Sequence, residues 1–371
     1  MAAPLSEVPR RILLGSVASL PFLARRETGW AAARKPAVAA SPPPSPEPSS
    51  GIPESATLVA AGPEGSRIDR WARFIAAPLE RALPTGTSLQ ATRAGGIDGV
   101  TGANKFEARV VPDGSTALLV PGTAAIAWLA GDPRAQFDAA RWLPIMAGAS
   151  PGVVVGRPGL GALVTGQRLR IAAGRLVGVD LPALLALDLM GVQAVPVLAG
   201  GDESTAIEAF AEQAADALFL NGARVPERAQ ELARVGARPL FSLGITDETG
   251  ALIRDPLFPE LPHVAELCSE RGSRTVSGPL FQAWRATATA SQLEFGLMLP
   301  QLTPASRVAL WRRAAALATA SPDLHSVCAA DAIRALATPS AAVFTSGITI
   351  GSDSLLELRR WLAARYNWQP V

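Results

Sequence analysis

The chain has 371 residues, which is enough for about two domains with a buried core. Its 34 basic and 32 acidic side chains leave a formal charge of +2 and form no basic block, so the composition excludes a protein that binds nucleic acid through a basic surface. The 33 glycines and 32 prolines favour a turn-rich α/β protein over a coiled coil or a disordered chain.

The N-terminal segment resembles an export signal. Arg10 and Arg11 precede an apolar run over residues 12–24, which is too short to span a membrane as a helix but fits the core of a signal peptide. The paired arginines resemble a twin-arginine signal. We therefore predict a signal peptide over residues 1–40, a Pro/Ser-rich linker over residues 41–53, and a periplasmic protein that is soluble after cleavage. An N-terminal anchor or a disordered arm is the alternative.

Cysteine and histidine are scarce, with Cys268, Cys328, His263 and His325 as the complete set. Their spacing is not that of a zinc site, so we predict neither a metal nor another cofactor. The two cysteines could form one disulfide in an oxidising compartment, but the sequence alone cannot show whether their Cα atoms lie within bonding range.

From residue 56 onward, apolar runs alternate with amphipathic stretches. Helices over residues 68–83 and 98–109 separate three predicted strands, "ATLVAAG", "SLQATRAG" and "TALLVPG". Helices near residues 180–190 and 202–214, and one started by Pro226, separate four more, "RLRIAAG", "AVPVLAG", "DALFLNG" and "RPLFSLG". This order predicts an α/β fold with mostly parallel sheets and right-handed crossovers.

The last part of the chain adds a strand, "EFGLMLP", and two helices. Thr303 is predicted to cap the first of these, with Pro304 at its first position, and an amphipathic helix ends the chain. Pro78, inside the predicted first helix, should kink that helix or cost about 3 kcal/mol.

The loop before the first helix is a candidate ligand site. Ile68, Trp71, Ile75 and Leu79 form an apolar stripe, so this helix should pack on the core. The loop "GPEGSR" would then lie at the carboxyl end of a strand, where open α/β sheets bind ligands. Unpaired N–H groups at a helix N-terminus attract a carboxylate or a phosphate. The glycines could equally serve only to make a tight turn.

The segment "GPEGSRIDRWARFIAAPLERAL" resembles the loop and first helix of the Bug-type receptors of tripartite tricarboxylate transporters, which are extracytoplasmic solute-binding proteins. Later segments resemble that family in unchanged order: "TRAGGIDGVTGANKFEARVVPDGSTALLV", "VPVLAGGDESTAIEAFAEQAADALFLNG", "DPLFPELPHVAEL" and "GLMLPQLTPASRVALW". The resemblance implies a type II periplasmic-binding-protein fold, in which two α/β lobes enclose a ligand cleft. Lobe 1 would comprise residues 54–152 plus 290–371, and lobe 2 residues 153–289.

The resemblance also implies where a ligand binds. In the family, loops after the first strand of each lobe hold a substrate carboxylate through backbone amides and hydroxyl groups. By position, the corresponding residues of this chain are Pro63, Glu64, Gly65, Ser66 and Asp69 in the first loop, Ala172, Ala173, Gly174 and Gly178 in the second, and Thr123 and Asn221 as lesser contacts.

Both loops depart from the family pattern. Ser66 replaces a glycine, and Ile171 replaces a tyrosine in a second loop that has lost most of its hydroxyl donors. Arg67 and Arg175 are additional charges that could bind an anion through charge-assisted hydrogen bonds, or that could be solvated surface charges. Asp180 would oppose a carboxylate nearby, or it could hold an amine.

The sequence "GASPG" around Ser150 matches the G-x-S-x-G pattern of hydrolases. In a hydrolase the residue after the serine donates its N–H to the oxyanion, but Pro151 has no N–H. "RPGLGALVTG" lacks the third glycine of a dinucleotide-binding loop, and His263 is predicted to be structural or exposed. We therefore predict that the protein is not an enzyme.

Three hypotheses for the function follow. The leading one is a monomeric receptor that delivers a small organic anion of the carboxylate type to the membrane subunits of a tripartite tricarboxylate-type transporter, with no nucleic-acid partner. The second is a degenerate binding module that acts as a sensor or interaction domain, which the altered second loop favours. The third, with the weakest support, is a hydrolase. The sequence does not identify the solute.

Overall fold

A computed structural model of the chain describes residues 55–159, 161, 163–200, 203–270 and 277–369. The predicted signal peptide and linker lie outside these residues. Within the described ranges, no helix combines the length and the apolar character that a membrane span requires.

The first of two large sheets has six strands: β1 (Ser55–Ala60), β2 (Ser88–Arg93), β3 (Thr116–Val120), β4 (Leu143–Ala149), β12 (Leu293–Leu299) and β13 (Arg334–Ala337). Their order across the sheet is β13-β4-β12-β3-β1-β2. β1 pairs in parallel with β2 and β3, whereas β12 runs antiparallel to both β3 and β4. The predicted parallel pairing is therefore correct for the first three strands, whereas β4 and β13 were not predicted as strands and no direction was predicted for β12.

The second sheet has five strands: β5 (Gly152–Gly156), β6 (Arg168–Ala173), β7 (Gln193–Leu198), β8 (Ala217–Asn221) and β9 (Arg238–Ser242). Their order is β7-β6-β8-β5-β9, with β6 parallel to β7 and β8, and with β5 antiparallel to β8 and β9. A short antiparallel pair, β10 (Ile245–Thr246) and β11 (Leu252–Ile253), follows. Because β5 begins soon after β4 ends, the chain passes from the first sheet to the second between these two strands.

Helices cover both sheets: α1 (Arg67–Ala82), α2 (Val100–Arg109), α3 (Gly122–Ala130), α4 (Leu181–Leu189), α5 (Glu203–Ala211), α6 (Val225–Ala233), α7 (Val264–Glu270), α8 (Pro279–Gln292), α9 (Ala305–Thr319), α10 (Pro322–Ala330), α11 (Ser340–Ser346) and α12 (Ser352–Tyr366). α1 continues through the buried Pro78. The predicted cap of α9 is wrong: Pro304 occupies the N-cap position, and the Thr303 hydroxyl donates instead to the Pro300 carbonyl at 2.8 Å.

The apolar stripe of α1 is buried as predicted, and the Trp71 ring packs against Phe295 of β12 with 4.8 Å between ring centroids. α8 is buried along most of its length and contacts α3, α4 and α12. Cys268 in α7 and Cys328 in α10 are both buried and are not joined to each other. The two sheets with their helices form the two-lobed α/β fold that the sequence predicted.

Candidate functional site

The loop between β1 and α1 is closed by its own hydrogen bonds. Gly65, at a φ of 75°, donates its N–H to Asp69 Oδ2 at 2.9 Å. The Ser66 hydroxyl donates to the Pro63 carbonyl at 2.6 Å and accepts the Asp69 N–H at 3.3 Å, which caps α1. The Gly65 N–H and the Ser66 hydroxyl, two predicted ligand donors, are therefore already engaged within the loop.

Asp69 anchors this loop and is fully charged at neutral pH. Its buried carboxylate receives a hydrogen bond from Arg93 Nε at 2.7 Å and another from Arg73. Burial acts to raise the pKa of Asp69, but the hydrogen bonds from Arg73, Arg93 and Gly65 outweigh it and lower the pKa to about 2. The nearby Glu64 side chain is exposed and lies 3.7 Å from Arg93.

The loop between β6 and α4 uses the same arrangement with different electrostatics. The Gly174 N–H donates to Asp180 Oδ2 at 2.9 Å, as Gly65 does to Asp69 in the first loop. No arginine within the described ranges pairs with Asp180. Burial therefore raises the pKa of Asp180 to about 6, although the N–H groups of Gly174 and Arg175 act to lower it.

A cavity of about 310 Å³, which we call the loop cavity, opens between these two loops. This volume lies within the range of roughly 300–1,000 Å³ that is typical of small-molecule sites. Its lining includes five residues that the sequence predicted for the site: Arg67, Thr123, Gly174, Arg175 and Gly178. The loop cavity therefore brings together residues from both lobes.

A second cavity of about 550 Å³, the Trp368 cavity, adjoins the first. Arg134 and Arg175 are among the residues that line both cavities, and we call the two adjoining cavities together the cleft. The remaining lining of the Trp368 cavity is mainly apolar and includes Pro133, Leu176, Leu198 and Trp368.

Most charges in the cleft are paired. Arg67 Nε lies 3.2 Å from Oε1 of the buried Glu294. Arg134 bridges two carboxylates, with 2.9 Å to Asp98 and 2.6 Å to Asp132. The hydrogen bond from Arg134 lowers the pKa of Asp132, so Asp132 remains ionised at neutral pH.

Arg175 differs from the other arginines of the cleft. It is exposed like Arg67 and Arg134, but unlike them it forms no ion pair with any residue that the structure describes. It is therefore the cation of the cleft that is most available to an anionic ligand.

The other predicted site residues have structural contacts. The Thr123 hydroxyl donates to the Asp98 carbonyl at 2.8 Å, and Asn221 Nδ2 donates to the Ser291 carbonyl at 3.1 Å, which ties β8 to α8. Ala172 is buried within β6. The predicted residues that do not line the loop cavity are Pro63, Glu64, Gly65, Ser66, Asp69, Ala172, Ala173 and Asn221.

The sequence reasoning missed three charged residues of the cleft, Asp98, Asp132 and Arg134. Asp98 follows β2 at the carboxyl edge of the first sheet, so its position after a predicted strand could have identified it as a candidate site residue. Asp132 and Arg134 follow α3, a helix that was not predicted, and nothing in their local sequence marks them.

Asp180 should make stability depend on pH. Its folded-state pKa is raised from 3.8 to about 6, so the folded protein binds this proton more tightly than the unfolded chain. The resulting stabilisation is fully present below the unfolded pKa and is lost as pH rises through about 6, amounting to roughly 3 kcal/mol. Urea denaturation of the native protein and of the Asp180→Asn variant, at pH values between about 4 and 7, measures this stabilisation. Two parallel stability profiles would contradict the assignment.

The residues of the hydrolase hypothesis are engaged structurally. The buried Ser150 hydroxyl donates to the Gln292 carbonyl at 3.2 Å. The backbone N–H of His263 donates to Glu266 Oε2 at 2.8 Å, and His263 Nδ1 accepts the backbone N–H of Glu266 at 3.4 Å. Together these two hydrogen bonds form a reciprocal cap at the start of α7. Burial lowers the pKa of His263. In the described part of the chain, no group of three or more His, Cys, Asp or Glu residues could hold a metal ion.

A further cavity of about 270 Å³ lies within the first lobe, away from both loops. Its lining is apolar apart from backbone and hydroxyl groups and contains no charged residue; it includes Val120, Trp142, Met298 and Thr345. The Thr345 hydroxyl already donates to the Ala341 carbonyl at 2.8 Å. Because this cavity has no charged group that would attract an anion, we take the cleft as the candidate site.

No protein-family model matches the sequence, and a search of curated protein sequences returns no match. Solved structures do match. A TctC solute binding protein from Polaromonas, solved without ligand, has a TM-score of 0.61 and 15% identity, over 84% of this chain and 98% of its own. The periplasmic binding protein BugD has a TM-score of 0.52 and 14% identity, over 84% and 97% of the two chains.

A third structure is MatC from Rhodopseudomonas palustris with bound malate, which has a TM-score of 0.50 and 18% identity, over 83% of this chain and 99% of its own. At such low identities the likeness concerns the fold. It confirms the predicted periplasmic-binding-protein fold with two α/β lobes.

Proposed function

We propose that this chain is a divergent solute-binding receptor of the Bug/TctC type that binds a small organic anion, a carboxylate, in the cleft. The observation that carries the proposal is the loop cavity, which residues of both lobes line and where Arg175 is a cation without a carboxylate partner among the described residues. The fold shared with a TctC protein, BugD and MatC supports it, and the ligand bound to MatC, malate, is a carboxylate.

A receptor of this kind works outside the cytoplasm and delivers its solute to membrane subunits. We accordingly propose a periplasmic location after export, a monomeric state, and the membrane subunits of a tripartite transporter as partners. Closure of the two lobes around the solute would present the liganded form to these subunits.

One observation favours the second hypothesis, a module that has lost its solute and acts as a sensor or interaction domain. The N–H groups of Gly65 and Gly174 are bound by Asp69 and Asp180, so these two loop amides are not available as a carboxylate cradle. No comparable observation favours an enzyme, because the Ser150 hydroxyl is buried and donates to a backbone carbonyl.

A thermal-shift screen of the mature protein tests the proposal. The panel should contain malate, succinate, aliphatic monocarboxylates, aromatic acids and amino acids, with the neutral amide of each acid as its control. A ligand at about one hundred times its Kd should add roughly 2.7 kcal/mol of stability, which corresponds to a rise in Tm of several degrees. Absence of any shift across the panel would reject the carboxylate receptor and leave the interaction module as the better hypothesis.

A further inference from the structure

Among the described residues of the cleft, one arginine is available to bind a negative group of the ligand. Arg67 is paired with Glu294, and Arg134 is shared between Asp98 and Asp132. Binding an anion at either arginine would compete with a carboxylate that is already in place. Arg175 has no such competitor among the described residues, so it is the position for a single carboxylate.

A second carboxylate on the ligand would meet repulsion in the loop cavity. Asp98, Asp132 and Asp180 all line this cavity. A dicarboxylate with one end at Arg175 would therefore bring its other end towards these acidic side chains or towards an apolar wall. Like charges at close range and an unpaired charge against an apolar surface both weaken binding.

An apolar wall belongs to the Trp368 cavity, which Arg175 also lines, together with Asp132 and Arg134. Leu176, Leu198 and Trp368 contribute to it, and Leu198 is 59% exposed although it is large and apolar. A ligand body that covered this wall would remove apolar surface from water on both partners. Each fully buried methylene group should tighten binding by about fourfold.

We propose that the solute is a carboxylate monoanion with an extended apolar body, its carboxylate at Arg175 and its body along the Trp368 cavity. This inference rests on the proposed receptor function and narrows the class of solute. It excludes the short dicarboxylates and tricarboxylates as the preferred ligands of this chain.

Isothermal titration calorimetry with matched acids tests the inference on the mature protein. The pairs are butyrate and succinate, hexanoate and adipate, and octanoate and suberate, with octanamide as the uncharged control. Affinity should rise by about fourfold per methylene along the monocarboxylates until the cavity is filled. Each diacid should bind at least about tenfold more weakly than the monoacid of the same length, and octanamide should bind at least about tenfold more weakly than octanoate.

Single-residue variants test whether the apolar body of the ligand binds in the Trp368 cavity. Leu198→Ser and Trp368→Ala should weaken octanoate binding several-fold and leave butyrate binding unchanged. Leu317→Ser is the matched control, because Leu317 is 54% exposed on α9 and lines neither cavity of the cleft. Its affinity for octanoate should equal that of the native protein.

The possible outcomes separate the two proposals. Diacids that bind as tightly as monoacids, or affinities that do not change with chain length, would overturn the monoanion inference while leaving a carboxylate receptor. Octanamide binding equal to octanoate binding would remove Arg175 from the site and overturn the inference as well. Failure of every acid to bind would overturn both the inference and the receptor function.

Discussion

Replacing Glu294 with alanine should lower the free energy of unfolding by about 3–5 kcal/mol. Glu294 is almost completely buried, where its Oε1 accepts the Trp71 indole N–H at 2.7 Å and lies 3.2 Å from Arg67 Nε. Its charge also offsets that of Arg228, whose pKa is lowered to about 10 by burial and by the charge of Arg67. Removing the carboxylate leaves the Trp71 N–H without its acceptor and two cations without their shared anion.

Guanidinium denaturation measures this loss of unfolding free energy. Two further variants serve as comparisons. Glu294→Gln should cost less than Glu294→Ala, because its amide oxygen can still accept the Trp71 N–H. Glu357→Ala is the control: the Glu357 side chain is 43% exposed and lies 3.8 Å from Arg360 on α12, and such surface pairs contribute about 0–1 kcal/mol. If Glu294→Ala were no more destabilising than Glu357→Ala, the buried contacts of Glu294 would not stabilise the fold as described.

Replacing Arg175 with glutamine should weaken carboxylate binding by about 10- to 100-fold while leaving stability unchanged. The expected loss corresponds to a charge-assisted hydrogen bond of about 1.5–3 kcal/mol. Stability should not change, because Arg175 is exposed and pairs with no carboxylate in the described structure. Calorimetric titration of the tightest acid from the screen measures the change in Kd.

Arg168→Gln provides the control for charge alone. Arg168 is exposed at the start of β6 in the same lobe, and it lines neither cavity of the cleft. The same net charge change there should alter affinity by less than about threefold, since surface charges at a distance are screened by salt. Equal losses in both variants would mean that Arg175 acts only through the overall charge of the protein.

The ordered alternation of apolar and amphipathic stretches was sufficient to predict most strands and helices. It was not sufficient for strand direction. β4, β5 and β12 are short apolar runs that are buried on both faces, and their sequences look the same whichever way they point. Their antiparallel pairing depends on the route by which the chain crosses between the sheets.

The candidate site was predicted in part. The resemblance to the receptor family, which implies ligand loops after the first strand of each lobe, led to Arg67, Gly174, Arg175 and Gly178, all of which line the loop cavity. Position could not show that the Gly65 N–H is bound by Asp69, because that hydrogen bond depends on how tightly the loop folds back on its helix.

The periodicity and glycine placement of the sequence determined the two α/β units and the loop before α1, since these are local properties of the chain. The two-lobed arrangement and the second loop were predicted only from the resemblance to the receptor family. Only the tertiary structure decided which charges of the cleft are available. Arg67 meets Glu294 across more than two hundred residues of sequence, and Arg134 meets Asp98 from a separate element. Such pairings leave no local signal, yet they distinguish Arg175 from the other arginines of the cleft and so decide what the cleft can bind.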